Sequence, residues 1–387
     1  MSTSVSADTQ DPVPATVVVA FDKEGARPLI VEGIADRETG RPVEANDPVR
    51  IASISKLVMG LATLRLVDEG KVELDRDVSD YLGWKVRHPS FPDVPVTLAQ
   101  LLSHRSGLRD AAGYIVPLGE SLEAKLAEPG AWYADAPPGE APFEYANLGS
   151  PVVATVLEAA TGERYDELLE RTVFAPLGIE ACVNWTLCSQ DQVSRAVVLY
   201  RDTGEIARDD PGDVPPNCSI PVAEGVECSL EDYVPGINAS VFSPQGGVRI
   251  GMMDLAKIGQ VFAEFGRPEF LSGDAALALL WSVAHEPIAG QDFFCRYGLA
   301  VQAIEYPGTP CADPLFGDGH VRLGHAGEAY ALRSGLWFSP ELGQGIAYFT
   351  TAVPPRASAE DEGGFDPREI ALMQRAQQIL AQESGEN

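Results

Sequence analysis

Long apolar runs are missing from this sequence of 387 residues. A helix needs about 20 consecutive apolar residues to cross a bilayer, and no stretch approaches that length. The first residues contain neither a basic segment nor an apolar one, so they do not resemble a signal peptide. We therefore expect no membrane span. The expected location is cytoplasmic for the sequence as written, or periplasmic or secreted if a leader has been removed.

Basic residues are scarce as well. The chain has 28 Lys and Arg against 57 Asp and Glu, which gives a formal net charge of −29. Proteins that bind nucleic acids need clustered Lys and Arg to contact phosphates, and no such cluster occurs here. This charge balance argues against a nucleic-acid partner. It favours a soluble surface but carries no information about a reaction.

Several motifs that bind cofactors or mark enzyme classes are absent. The sequence has no Cys-x-x-Cys pair and no zinc-type spacing of Cys and His, so we expect no metal. The phosphate-binding P-loop and the dinucleotide glycine fingerprint are missing, so we expect no nucleotide cofactor. A Gly-x-Ser-x-Gly elbow is also absent, which argues against an α/β-hydrolase.

The cysteines leave the compartment open. Their even number would suit disulfides outside the cytoplasm, and about 15 pairings of six are possible. Buried free thiols fit the sequence equally well. The six are Cys182, Cys188, Cys218, Cys228, Cys295 and Cys311.

Residues 51–67 predict a buried helix with a reactive pair at its start. Apolar side chains repeat there at helical spacing, at Ile54, Leu57, Val58, Leu61 and Leu64, and Gly70 is placed to end the helix. Ser53 and Lys56 are three positions apart, so they share one face at about 4.5 Å along the axis. A desolvated lysine can lose its proton and then take the proton of a serine. The alternative is a capping serine followed by a solvated lysine.

Tyr145 and Asn147 form a second candidate pair, after a loop rich in Pro and Gly. The tyrosine could act as a base if nearby cations lower its pKa. The asparagine amide could bind a substrate carbonyl. The alternative is a half-buried aromatic ring beside a turn asparagine.

A third candidate stretch surrounds His325, which lies between Gly324 and Gly327. Glycines let a substrate approach the backbone closely, and a strand edge here could direct a backbone N–H at an oxyanion. The alternative is a structural or exposed loop histidine. His104 follows a helix and is expected to be a structural hydrogen-bonding residue.

The coarse organisation predicts one α/β sheet domain made from both ends of the chain, residues 1–80 and 240–387. A mainly helical, loop-rich domain would comprise residues 81–239, including a long surface excursion at 201–240. Hairpins are expected at 15–34 and 332–352, and residues 78–82 are expected to be irregular. Helices are expected from Thr97, near 121–126, over 152–160, 165–174 and 255–265, and from Asp366.

Three motifs in one order carry a family resemblance: Ser53-x-x-Lys56, Tyr145-x-Asn147 and His325-Ala326-Gly327. The chain resembles the serine β-lactamase and penicillin-binding-protein superfamily from about residue 15 to 380. Within it, the chain is similar to the class C β-lactamase branch, which also holds DD-peptidases, D-aminopeptidases and family VIII esterases. The resemblance implies an α+β fold of the β-lactamase/transpeptidase type. It also implies an antiparallel sheet flanked by helices, an inserted mainly helical domain, and a site in the cleft between the two.

The resemblance also implies a role for each matching residue. Ser53 would be the acylated nucleophile, and Lys56 and Tyr145 would share the acid–base work, in an order that stays open. Asn147 would orient the substrate carbonyl. His325 would stand where the superfamily usually has the Lys of Lys-Thr-Gly. Gly327 and Glu328 would lie on the substrate side, and the backbone N–H groups of Ser53 and Glu328 would form the oxyanion hole.

Two departures from the superfamily pattern bear on the substrate. A neutral His325 removes a permanent charge, and Ala326 has no hydroxyl, so strong β-lactamase activity is disfavoured. We expect a serine hydrolase of esters or small amides and peptides. The alternatives are a β-lactamase and a non-catalytic, penicillin-binding-like sensor. The Glu328 side chain is expected to point to solvent, with contact to a substrate ammonium as the alternative.

Overall fold

The centre of the computed structural model is an antiparallel sheet of seven strands in the order β2-β1-β12-β11-β10-β9-β8. Its strands are β1 Thr16–Asp22, β2 Ala26–Glu32, β8 Arg296–Tyr297, β9 Gln302–Ile304, β10 Arg322–Ala329, β11 Leu332–Ser339 and β12 Gln344–Thr350. The structure describes residues 13–201, 203–207, 218–263, 269–275, 282, 288, 293–308, 311–354 and 364–385.

The chain also forms two smaller sheets. One pairs β3 with β4, and the other has the order β5-β7-β6. Because β6 comes from the middle of the chain, the second small sheet joins that part to the terminal parts. These strands are β3 Ile34–Asp36, β4 Arg41–Pro42, β5 Val49–Arg50, β6 Ala181–Val183 and β7 Val248–Ile250. The division into domains 1–80 with 240–387 and 81–239 stays a prediction.

Helices cover the sheet and fill the middle of the chain. They are α1 Ile54–Asp68, α2 Ser79–Leu82, α3 Leu98–Leu102, α4 Leu122–Leu126, α5 Gly149–Thr161, α6 Tyr165–Leu169, α7 Ala175–Leu177, α8 Gln190–Arg195, α9 Met252–Ala263 and α10 Pro367–Ser384. A π-helical turn spans Glu170–Phe174, and 3₁₀ turns span Asp110–Ala112 and Ala239–Phe242. None of the helices in the described part of the chain is both long and apolar enough to span a bilayer.

Most expected elements are present where local signals predicted them. Both hairpins form, and Thr97 and Asp366 each complete a capping box at a helix start. The prediction that residues 78–82 are irregular is wrong, because this stretch contains the single turn of α2. That turn is too short to show periodicity. It is held by the Asp77 side chain, which accepts from the Ser79 N–H at 3.0 Å, and by Gly83 at φ 75°.

Two predicted segments lie partly outside the described residues. Helix α9 begins three residues before the expected 255, and the predicted stop at Gly266 lies outside the described residues. In the expected excursion at 201–240, residue 202 and residues 208–217 also lie outside them. Within the rest of that excursion, the disulfide between Cys218 and Cys228 closes the loop of residues 218–228.

All six cysteines form disulfides, which resolves the choice that the sequence left open. The pairs are Cys182–Cys188, Cys218–Cys228 and Cys295–Cys311. Each pair closes a short loop, with sequence separations of 6, 10 and 16 residues.

Helix α1 is the buried axis of the molecule. Nearly every side chain along it is buried, including Ser55 and Lys56 on what would be the polar face of an amphipathic helix. The helix ends as predicted, with Gly70 at φ 65° and its N–H bonded to Val67 O at 2.9 Å. Gly60 permits close packing, because a Cβ atom there would lie 3.1 Å from the Ala300 Cβ atom.

Strand β10 lies directly against the start of α1 at Gly327. A methyl group at this position would collide with the Ile51 carbonyl and the Ser334 hydroxyl. The Ser334 hydroxyl donates a hydrogen bond to the same Ile51 carbonyl at 3.0 Å. Gly327 and Ser334 are paired across β10 and β11. The sheet therefore holds the residues that precede Ser53.

We expect Gly327→Ala to destabilise the protein by about 1–3 kcal/mol, because the added methyl forces β10 away from α1. Thermal or urea unfolding measures this change. Gly25→Ala is the matched control, since a Cβ atom at Gly25 meets nothing within 4 Å. Equal stability of the two variants would contradict the close packing described here.

Candidate active site

The serine at the start of α1 leaves its hydroxyl free of helix capping. Ser53 occupies the N-cap position with helical dihedrals (φ −64°, ψ −11°), and its side chain makes no capping hydrogen bond. The preceding residue, Ala52, has φ 48°, an uncommon conformation for a residue other than glycine. Lys56 is only 1% exposed. The alternative of a capping serine with a solvated lysine therefore does not describe this turn.

The Lys56 amine is surrounded by three oxygen atoms. Its Nζ atom lies 2.8 Å from Asn147 Oδ1 and 3.2 Å from both Gln245 O and Ser53 Oγ. The Gln245 carbonyl is presented by a tight turn in which the N–H groups of Gly246 and Gly247 both bond to Ser243 O, at 2.9 and 2.7 Å. Three distant parts of the chain thus meet at one nitrogen.

Burial lowers the pKa of Lys56 to about 7, although the nearby Asp110 carboxylate acts in the opposite direction. The amine is therefore partly neutral near neutral pH. A neutral amine carries two hydrogens and one lone pair. Asn147 Oδ1 and Gln245 O can only accept, so they accept hydrogen bonds from the two amine hydrogens. The lone pair of the amine then points toward Ser53. This is the arrangement of a general base beside a hydroxyl nucleophile.

Tyr145 lies on the other side of the amine. Lys56 Nζ is 4.7 Å from the centre of its ring, a cation–π distance. The Tyr145 hydroxyl oxygen is buried and has no hydrogen bond of good geometry in the described part of the chain. Burial raises the pKa of Tyr145, and the neighbouring Ser53 hydroxyl only partly offsets the rise. The lowered pKa that would make this phenol a ready base is therefore not present.

Asn147 is held in one orientation by Asp110, a residue that the sequence did not single out. Asp110 Oδ2 accepts from the Asn147 backbone N–H and from its side-chain Nδ2, both at 2.9 Å. Asp110 Oδ1 accepts from the Leu148 N–H, also at 2.9 Å. The Asn147 side-chain oxygen is therefore turned toward Lys56. One of the two Asn147 amide hydrogens donates to Asp110, and the predicted contact of this amide with a substrate carbonyl stays a prediction.

His325 is buried and neutral. Its Nδ1 lies 2.6 Å from Ala326 O and must carry the hydrogen, so Nε2 accepts from the Tyr297 hydroxyl at 2.9 Å. Burial, with the charge of Lys56 as a smaller cause, lowers the pKa of His325 to about 3. His325 therefore brings no positive charge to the site. A catalytic role for it stays a prediction.

The remaining predicted residues lie at the edge of the site. Strand β10 brings Gly327 beside the start of α1, and the oxyanion role of the Glu328 N–H stays a prediction. The Glu328 side chain is 48% exposed and forms a cross-strand ion pair with Arg333 at 2.8 Å. That pair is the solvent-facing arrangement expected. His104 is structural as expected, since its Nδ1 accepts from the Ala146 N–H at 3.2 Å.

Within the described residues, no three His, Cys, Asp or Glu side chains converge to hold a metal ion.

Comparison with known families supports the resemblance in the motifs. The family model Beta-lactamase matches residues 13–366. The chain belongs to the beta-lactamase family. The expected fold class is confirmed, because solved structures of that fold superpose along almost the whole chain.

The matched proteins have different named activities. Esterase EstB from Burkholderia gladioli is 33% identical over 165 residues, which are 39% of this chain and 42% of that protein. The D-amino acid amidase from Ochrobactrum anthropi SV3 has a TM-score of 0.67 at 17% identity, covering 96% of this chain and 94% of that one. A class C beta lactamase from Rhodobacter sphaeroides gives 0.63 at 17% identity, covering 96% and 95%. The chain spans about half the length or less of the first curated relatives it matches.

We expect the reactivity of Ser53 to rise with pH around a midpoint of about 7. Lys56 must be neutral to accept the serine proton, so protonation below its pKa should block the reaction. The measurement is the rate at which a fluorophosphonate labels Ser53 between pH 5 and 9. A rate independent of pH over that range would contradict the assignment of Lys56 as base.

Asp110→Asn should move this midpoint to lower pH. The carboxylate favours the charged form of Lys56, so its removal makes the amine easier to deprotonate. Asp110→Glu, which keeps the charge, is the matched control. An unmoved or raised midpoint in Asp110→Asn would contradict this electrostatic effect of the carboxylate on Lys56.

Proposed function

We propose that this chain is a serine hydrolase that forms an acyl-enzyme at Ser53 and cleaves carboxylic esters or small amides and peptides. The observation that carries the proposal is the buried Lys56 amine, 3.2 Å from Ser53 Oγ, with its other two partners both acceptors. A pair of this kind activates a hydroxyl for nucleophilic attack.

In the proposed first step, Ser53 Oγ attacks the carbonyl carbon and its proton passes to Lys56 Nζ. The tetrahedral oxyanion would be held by the backbone N–H groups of Ser53 and Glu328. The proton then reaches the leaving group through the Tyr145 hydroxyl, the bond to the leaving group breaks, and the acyl-enzyme remains. Water repeats the sequence in the second half, with Lys56 again taking a proton, and releases the acid and free Ser53.

The charges at the site support the proposed substrate class. A β-lactam carries a carboxylate, and the neutral His325 offers it no positive charge. The names of the matched esterase and amidase agree with an ester or amide substrate. A non-catalytic sensor would not require Ser53 and Tyr145 to lie beside Lys56, with the lone pair of its amine free to accept a proton.

We also propose that the chain folds in an oxidising compartment. Three disulfides that use every cysteine favour a periplasmic or secreted location over the cytoplasm. The measurement is the mass after alkylation under denaturing conditions without reductant. No added label is expected, and six labels per chain would contradict the proposal.

Ser53→Ala should abolish hydrolysis of p-nitrophenyl acetate, because it removes the acylated atom. Tyr145→Phe should lower the rate by a factor of about 10²–10⁴, the usual contribution of a proton-transfer group. Ser121→Ala, at the exposed start of α4, is the control and should leave the rate unchanged.

A second substrate tests the ranking of activities. Nitrocefin should be opened much more slowly than the ester is hydrolysed. A ring-opening rate far above the ester rate would make the protein a β-lactamase instead. An unchanged ester rate in Ser53→Ala would remove the proposed mechanism altogether.

A further inference from the structure

An aromatic ring covers one face of the tyrosine at the candidate site. Phe294 stacks on Tyr145 with the ring centres 4.3 Å apart and the planes 6° apart. It also meets Tyr297 edge-on at 5.9 Å and lies 6.1 Å from Phe143. Phe294 is only half-buried, so part of its surface is exposed.

The position of Phe294 is fixed by its neighbours in sequence. The next residue, Cys295, is buried and bonded to Cys311. Strand β8 follows immediately and pairs with β9. The Tyr297 hydroxyl in β8 is hydrogen-bonded to His325. Phe294 is therefore attached to the sheet that carries His325, which makes it a wall of the site with a defined place.

The proposed mechanism shows which part of the substrate this wall meets. If Tyr145 passes a proton to the leaving group, the leaving atom must come within hydrogen-bond distance of the Tyr145 hydroxyl. The side chain stacked on Tyr145 then flanks whatever is attached to that atom. We propose that Phe294 lines the leaving-group pocket and selects esters of apolar, above all aromatic, alcohols; this inference rests on the proposed function.

The surroundings of the wall favour an apolar occupant. Phe143 and Tyr297 are buried beside it, and Ile288 belongs to the same cluster. The imidazoles on this side, His104 and His325, are held neutral by burial. A charged leaving group, such as an amino acid with a free carboxylate, would lose hydration there and meet aromatic faces. An aryl group would instead stack on Phe294.

The test compares acetate esters that share an acyl group and differ in the alcohol. We would measure kcat/KM of the wild type and of Phe294→Ala for phenyl acetate, 2-naphthyl acetate and methyl acetate. The ratio of wild type to variant cancels the intrinsic reactivity of each ester. We expect this ratio to be about 10 for the aryl esters, the size of a lost aromatic contact, and below about 2 for methyl acetate.

Phe91→Ala is the matched control, because this ring packs on His88 with the ring centres 4.9 Å apart and does not belong to the cluster that contains Tyr145 and Phe294. It should keep the preference for aryl esters. Circular dichroism and thermal unfolding identify a variant that fails to fold. In that case Phe294→Leu, which keeps the bulk and removes the ring, should show the same selective loss.

The outcomes separate this inference from the proposed function. An equal ratio for aryl and methyl esters in a folded Phe294 variant would overturn the role of Phe294, while loss of hydrolysis in Ser53→Ala still supports the hydrolase. Hydrolysis that persists in Ser53→Ala would overturn the hydrolase itself, whatever Phe294→Ala does.

Discussion

The buried amine of Lys56 is the constraint on which the candidate site depends. Removing an ammonium group from water is costly, and the group adapts by losing its proton more easily. Three oxygen atoms from α1, from the loop after Phe143 and from the turn before β7 surround this nitrogen. This burial lowers the pKa of Lys56 to about 7, the property that the proposed base requires at neutral pH.

The fold makes this burial possible by placing α1 inside the molecule. Strand β10 approaches the start of the helix where Gly327 has no side chain, and Ser334 bonds to the Ile51 carbonyl. Asp110 then fixes the loop that carries Asn147 with three hydrogen bonds. Aromatic rings, among them Phe294 at 4.3 Å between ring centres, pack around Tyr145. Each of these contacts joins residues that are far apart in sequence.

Local sequence signals predicted most of the helices and strands. Contacts between residues far apart in the chain could not be predicted from the sequence. The periodicity of α1, its end at Gly70 and the two capping boxes depend on neighbouring residues, and they were predicted correctly. The order of three short motifs was enough to indicate the family, which the match over residues 13–366 confirmed. Asp110 acts on Asn147 across 37 residues, and Phe294 reaches Tyr145 from another part of the chain. No sequence motif or characteristic spacing indicates either contact. The pairing of the cysteines could not be predicted from the sequence for the same reason.

The most direct test of the account is the ionisation of Lys56 itself. The chain has only six lysines, so an NMR titration of ¹³C-labelled lysine side chains would resolve them, with Lys56→Ala assigning the signal. The account predicts one lysine that loses its proton near pH 7, and that signal is absent from the variant. If all lysines, Lys56 included, stay protonated until about pH 10, the usual range of this side chain, Lys56 is not the base.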